Sequence, residues 1–342
     1  MKNIILPAEW HRQSAVMITW PHANSDWADI LDEVTDCYIS LSKEITKRQK
    51  LIIVCENKNE VLQHFSDDEK NNITTKQIDS NDTWARDHGP ISLFIDNQPA
   101  IFDFGFNGWG LKFASNLDNQ ITTELFDKQL FNENVLYRNK QNFILEGGAI
   151  ESDGEGTLLT TSQCLLAPNR NQPMTQNEIE DYLIKTFGLK RVLWLNHGYL
   201  AGDDTDSHID TLARLCDTET IAYVACNDKN DEHYEELKKM EEELISFKTI
   251  KGKPYKLVPL PMADEVIYEG LRLPATYANF LIMNDAVLMP EYGTDKDDIA
   301  KKQLQIAFPK HEVIGVNCTP LIKQHGSLHC ITMQIPEGFI KS

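Results

Sequence analysis

What most constrains the fold of this chain is a recurring order of elements. Helical periodicity runs through about 26–49, 116–132, 175–187, 231–247 and 297–308. Each stretch is followed by a short apolar run, at 51–55, 135–137, 192–195, 255–258 and 313–316, that reads as a strand. Several helices are also preceded by two strand-like runs around a tight turn. Runs 91–95 and 100–106 flank Asp96-Asn97, 143–150 and 157–161 flank Asp153-Gly154-Glu155-Gly156, and 279–283 and 286–290 flank Asn284-Asp285. The third helix opens on the capping-box pattern Thr175-Gln176-Asn177-Glu178 and stops before Gly188. The fourth carries an apolar stripe of Tyr234, Leu237, Met240, Leu244 and Ile245 under a charged, solvated face.

The unit is therefore strand, strand, helix, strand, about 65 residues long and used about five times. The first unit has only 15–19 ahead of its helix, so a final strand from Cys330 is expected to complete it. With no Gly/Ser-rich or Pro-rich linker, 1–342 reads as a single α/β domain. Periodicity alone supports a closed radial array of ββαβ modules and an open mixed sheet equally.

Polar motifs fall in phase with this order. Asp87, Glu146, His208, Asn279 and Cys330 are spaced by 59, 62, 71 and 51 residues. Each lies near the start of a unit's first strand-like run, and a radial fold would gather them into one pocket.

Charge narrows the partners. The chain has 33 Lys and Arg against 52 Asp and Glu, a formal net charge of −19. Nucleic acid and anionic membranes are poor partners for such a surface, whereas a small cation is attracted. The acidity also serves solubility. Seven cysteines, with no C-x-x-C pair, argue against a disulfide framework and a Cys-rich zinc site, and fit reduced thiols in a cytoplasm. Residues 1–7 lack the apolar core of a signal peptide, and no run approaches the ~20 apolar residues of a membrane span.

Three segments carry chemistry. In Gly326-Ser327-Leu328-His329-Cys330 a thiol follows a glycine-bearing turn, which suits a nucleophile; the bland alternative is a small buried hydrophobe. His208 and Asp210 form an H-x-D pair that on a strand would face one ligand. His208 reads as a nucleophile's base, a metal ligand or a structural residue; no third ligand stands at helical spacing near it. Asp87 lies between Arg86 and Gly89-Pro90, where a simple turn is the alternative. Glu146 follows Phe143-Ile144-Leu145, so its carboxylate enters from a buried strand and needs a partner. Paired carboxylates match the planar donor fork of a guanidinium.

Taken together, these motifs resemble the agmatine deiminase family of guanidine-modifying enzymes across nearly the whole chain. The matching stretches are Trp84 to Pro90, Asp103 to Lys112, Leu145 to Gly148, Thr157 to Leu166, Asn169-Arg170-Asn171, Asp204 to Asp210, Ala275 to Phe280 and His329 to Gln334. The resemblance implies a five-bladed α/β propeller, the pentein fold. It also implies hydrolysis of agmatine to N-carbamoylputrescine and ammonia with neither metal nor organic cofactor. Carried over by motif, Cys330 is the nucleophile and His208 the general acid/base. Asp87 and Asp210 grip the guanidinium, Glu146 supports proton transfer and Trp84 lines the pocket. Asp204 and Asn279 complete the expected substrate contacts. A homo-oligomer is compatible with this reading.

The chain departs from the family pattern where Gln324-His325-Gly326-Ser327 replaces a common glycine triplet, and at Ser207 and Thr211. These departures bear on which guanidine is accepted. Free arginine or a peptide's terminal arginine is the nearest alternative, with Arg86, Arg170 and Arg272 as candidate partners for its carboxylate. An amidinotransferase and a non-catalytic polyamine-binding protein are more distant ones.

Overall fold

The computed structural model of the chain describes residues 3–341. Five small mixed sheets repeat one pattern: two antiparallel strands, a helix, then a strand parallel to the second. Ile91–Ile95, Gln98–Gly105, helix Ile121–Asp127 and Leu136–Ile144 form one. Ile150–Ser152, Thr157–Thr161, helix Gln176–Phe187 and Arg191–Leu195 form the next. Ala213–Leu215, Thr220–Ala225, helix Tyr234–Ser246 and Lys256–Pro261 follow. Leu281–Ile282, Ala286–Glu291, helix Asp295–Ala307 and Glu312–Asn317 make another. The remaining sheet joins the two ends of the chain. Met333–Pro336 lies antiparallel to Gln13–Thr19, with Met333 opposite Met17, and Gln13–Thr19 continues through helix Leu31–Thr46 to the parallel strand Lys50–Cys55. The sheets are separate; no closed sheet forms among the described residues.

Local chemistry sets the joints. Asp96 and Asn97 both adopt positive φ, 51° and 66°, as a two-residue hairpin turn between right-twisted strands demands. Thr175 and Glu178 close the expected capping box, and Gly188 ends that helix in the left-handed region at φ 69°.

The strands explain why their sequences are apolar without alternation. Val16 and Ile18 pack into one hydrophobic core, Ala15 and Met17 into another. Leu51 and Ile53 divide from Ile52 and Val54 in the same way. Period-2 geometry thus sends successive residues into two different interiors, and both faces of this sheet are buried. Each such side chain contributes roughly 1.5–3 kcal/mol by leaving water.

Four expectations need correction. The strand expected at 143–150 is broken: Leu136–Ile144 ends it and Gly147–Ala149 forms a 3-10 turn. His208 and Asp210 do not lie on a strand: His208 caps the 3-10 turn Ile209–Thr211, and Asp210 lies within it. Lys256–Pro261 runs on through Pro259, because it is an edge strand where a missing N–H leaves no neighbour unpaired. Ile245 is 57% exposed, since helix Tyr234–Ser246 turns only Leu237, Met240 and Leu244 fully inward.

The segments ahead of the first strands bind one another in a ring. Gly148 N donates to Asp87 Oδ1 at 3.0 Å, and a Cβ on Gly148 would lie 2.6 Å from His208 Nδ1. Asn279 Nδ2 donates to the Asp210 carbonyl, Asn279 Oδ1 accepts from His329 N, and Arg86 N donates to the Cys330 carbonyl. All five in-phase positions therefore meet.

Candidate active site

A cavity of about 410 Å³ opens above this ring, lined among others by Trp84, Asp87, Trp109, Asp204, His325 and Cys330. Gly326 lets the wall form. A Cβ there would sit 2.1 Å from the Trp84 ring, so only glycine allows the indole to lie against the turn before Cys330.

Cys330 is 4% exposed. Its Sγ is 3.4 Å from Asn279 Oδ1 and 4.0 Å from Asp210 Oδ2. Burial, then the Asp210 and Asp87 carboxylates, push this thiol well above its ordinary pKa, so the group is protonated when no cation is near. Asp87 Oδ2 accepts from Trp109 Nε1 at 2.9 Å, and its Oδ1 accepts from Gly148 N. Burial lifts the Asp87 carboxyl to about 6, against the pull of His208 3.7 Å away.

His208, Glu146 and Asp210 lie deeper, with no exposed surface. Burial opposes charge on His208, but Asp87, then Cys164 and Glu146, outweigh it and hold the imidazole well above its usual value. Both ring nitrogens of His208, and Asp210 Oδ1, are buried without a hydrogen-bond partner among the described residues. Such groups are costly unless a ligand supplies the missing bonds. Glu146 finds its partner within the chain: Arg170 Nε donates to its two oxygens at 3.0 and 3.1 Å, while Arg170 Nη1 pairs with Asp206 at 2.6 Å.

The remaining expectations divide. Trp84 and Asp204 line the cavity. The Asp204 carboxyl is lifted to about 6 by burial and by Asp203. Asn279 is turned to Cys330 instead; its Oδ1 takes the backbone N–H of His329 and Cys330 at 2.8 and 3.3 Å. Sequence reasoning assigned no role to Trp109 or Cys164, and named Arg170 only as a candidate partner for a substrate carboxylate, whereas the structure bonds it to Glu146 and Asp206. Trp109 stands at φ 55°, a left-handed conformation rare for an aromatic residue, and only the fold reveals that strain. Two clusters have donors close enough to hold a metal, Glu146–Cys164–His208 and Glu9–Glu151–His329. Each has a guanidinium bonded into it, from Arg170 and Arg214 respectively.

A sequence profile describing Porphyromonas-type peptidyl-arginine deiminase matches residues 5–336. The chain belongs to that family. As a member of this deiminase family it is a hydrolase acting on C–N bonds. A solved structure from Porphyromonas gingivalis, provisionally named an arginine deiminase, is 52% identical, with TM-score 0.96 over 99% of this chain and 100% of that one. A cysteine-to-serine variant of the C. jejuni agmatine deiminase, solved with substrate bound, is 40% identical with TM-score 0.91, covering 98% of this chain and 97% of that one. Among curated sequences, a provisionally named agmatine deiminase of Shewanella sp. (strain W3-18-1) is 32% identical over 97% of this chain and 94% of its own length. Fold alone is shared with the DDAH of Pseudomonas aeruginosa, at 11% identity and TM-score 0.52 over 95% of this chain and 100% of that one. This family member thus has an α/β architecture with neighbours among the penteins. No helix is long and apolar enough to cross a membrane among the described residues.

Proposed function

We propose that this deiminase hydrolyses agmatine to N-carbamoylputrescine and ammonia, with residues 1–342 forming one catalytic unit. The ring of contacts among the five strand starts supports reading its units as the blades of a five-bladed α/β propeller. The observation that carries the substrate assignment is the charge of the cavity. Asp26, Asp82, Asp87 and Asp204 line it, and no Lys or Arg is among its lining residues within the described part of the chain. The three arginines that a carboxylate-bearing substrate could use are engaged elsewhere. Arg170 serves Glu146 and Asp206, Arg272 pairs with Asp231 and Glu232, and Arg86 is bonded to Gln334. A guanidinium with a distal ammonium suits such a lining; an added carboxylate would be desolvated among acids.

In the mechanism, Asp87 and Asp210 hold the guanidinium planar below Cys330. The cation's arrival offsets the carboxylates that keep the thiol protonated, so the thiol gives up its proton to solvent and the thiolate forms in the cation's presence. Sγ attacks the guanidinium carbon, giving a tetrahedral adduct. His208 delivers a proton to the departing nitrogen, the C–N bond breaks and ammonia leaves. The resulting thiouronium on Cys330 is attacked by water, whose proton passes to His208. Collapse of that adduct releases the ureido product and regenerates the thiol. Glu146 supports the proton transfers from behind His208.

The test is a direct comparison of agmatine, free arginine and a peptide with C-terminal arginine, assayed for ammonia and ureido product. A preference for agmatine of at least ~100-fold in kcat/KM is expected, about 2.7 kcal/mol of transition-state discrimination. Equal or better turnover of arginine or of the peptide overturns the substrate assignment.

A further inference from the structure

Behind the cavity floor the interior is filled by charge. Asp210 Oδ2 accepts from His329 Nδ1 at 2.8 Å, whereas its Oδ1 has no hydrogen-bond partner among the described residues. His329 Nε2 lies 2.6 Å from Glu9 Oε2 and 2.9 Å from Arg214 Nη2. Arg214 pairs with Glu9 at 2.8 Å and Glu151 at 2.5 Å, and its Nη1 donates to the Phe280 carbonyl. The other oxygens of Glu9 and Glu151 accept from Ile282 N and Leu215 N. Every rotation open to His329 would break a buried charged contact.

We propose that His329 is a positioning residue for the reaction: clamped by Glu9 and Arg214, its Nδ1–H holds Asp210 Oδ2 so that Oδ1 stands free for the substrate guanidinium. This rests on reading the protein as a guanidine deiminase. The same residue is tied to the nucleophile through its backbone, since His329 N and Cys330 N share Asn279 Oδ1 as acceptor. One residue thus fixes the thiol through its main chain and the gripping carboxylate through its side chain, setting the distance between them. Displacements near 1 Å in such an alignment cost on the order of 100-fold in rate.

The electrostatics point the same way. Burial works to neutralise Asp210, but the hydrogen bond from His329, with His208 and Arg214, holds its carboxyl below the ordinary range. The groups facing Asp210 are His208 and Asp87 toward the cavity, Cys330 beside it, and Glu9, Arg86, Glu151 and Arg214 beyond His329.

The experiment compares His329→Leu with His329→Asn, whose amide can donate from near the Nδ1 position. Kinetics are measured on whichever guanidine the wild type turns over. Asp210 is followed by 13C NMR of its carboxyl, assigned with Asp210→Asn. His329→Leu should lose at least ~100-fold in kcat/KM, and its Asp210 should titrate more than about one pH unit higher. His329→Asn should recover at least about tenfold over the Leu variant and restore the low titration. A folded Leu variant with an unmoved Asp210 titration, or an Asn variant no better than Leu, overturns the proposal. Where Leu fails to fold, His329→Gln replaces it. Its amide sits nearer the Nε2 position, so it should fall below Asn in both readouts, and equality overturns the idea. Wild type inactive on all three substrates would defeat the functional reading alone, because the Asp210 titration still decides the role of His329.

Discussion

The two sides of the cavity floor differ in how their polar atoms are satisfied. On the cavity side, both nitrogens of His208 and Asp210 Oδ1 are buried without a hydrogen-bond partner among the described residues, His208 Nδ1 having only a 3.7 Å ion contact with Asp87. On the far side, Glu9, Glu151, His329 and Arg214 are joined by contacts of 2.5–2.9 Å and anchored by backbone groups. Arg86 is the exception there; its Nη2 has only a 3.7 Å ion contact with Glu9. The comparison teaches how one buried polar interior does two jobs. A network whose members satisfy one another holds geometry. Groups left unsatisfied are costly in the free protein and are met only when a substrate of the right shape arrives.

The largest expected effect is on the cavity side. Cys330→Ala should abolish turnover, by ~10⁴-fold or more, with unchanged circular dichroism. Intact mass of acid-quenched wild type should show the substrate adduct on Cys330. An adduct mapped to Cys164 or Cys318 would overturn the assignment of Cys330 as the nucleophile.

A pair of substitutions sharpens the contrast in stability. Arg214→Met leaves Glu9 and Glu151 without their shared cation and should cost about 3–5 kcal/mol in denaturant unfolding. Asp87→Asn removes a buried carboxyl already penalised by its surroundings. It should change stability by no more than about 1 kcal/mol while cutting kcat/KM by ~100-fold or more. Equal losses of stability from both variants would erase the distinction drawn here.

A smaller effect concerns pH. The Asp87 carboxyl is lifted to about 6, so it is ionised above that value and protonated below it. Only the ionised form pairs with a guanidinium. The kcat/KM should therefore fall by about tenfold per pH unit as pH drops below 6. A profile flat to pH 5 would show that Asp87 ionises far more readily than its burial implies. The smallest effect is expected from chelation. With Arg170 and Arg214 bonded into the two metal-competent clusters, exhaustive chelation should leave activity unchanged. Loss restored by one specific divalent ion would overturn that.

Much of this was legible in residue order. The repeat of strand, strand, helix, strand could be read because hydrophobic periodicity and turn chemistry are local properties. So could the return of the last strand to the first unit, since 15–19 lacked a partner. Cys330, His208, Asp87 and Glu146 could be nominated because polar motifs stood at corresponding places in the units, and Asp210 because it stands two residues after His208 and the family resemblance includes it. The break at 145–149 was hidden, because Leu145 and Ile150 look as strand-like as their neighbours and only Gly147-Gly148 hint at a turn. Ile245 was misplaced because apolar character alone does not say which side of a helix a neighbour covers.

Sequence by itself, then, determined the repeating units and nominated the candidate site residues, because each signal is encoded within a few residues along the chain. Only the tertiary structure decided which carboxylate meets which base. Glu9 and His329 are 320 residues apart, and Arg170 and Glu146 come from separate segments. The physical reason is that a buried charge takes whatever partner three-dimensional packing brings within about 3 Å. Periodicity predicts which residues go inside; it carries no record of which of them will touch.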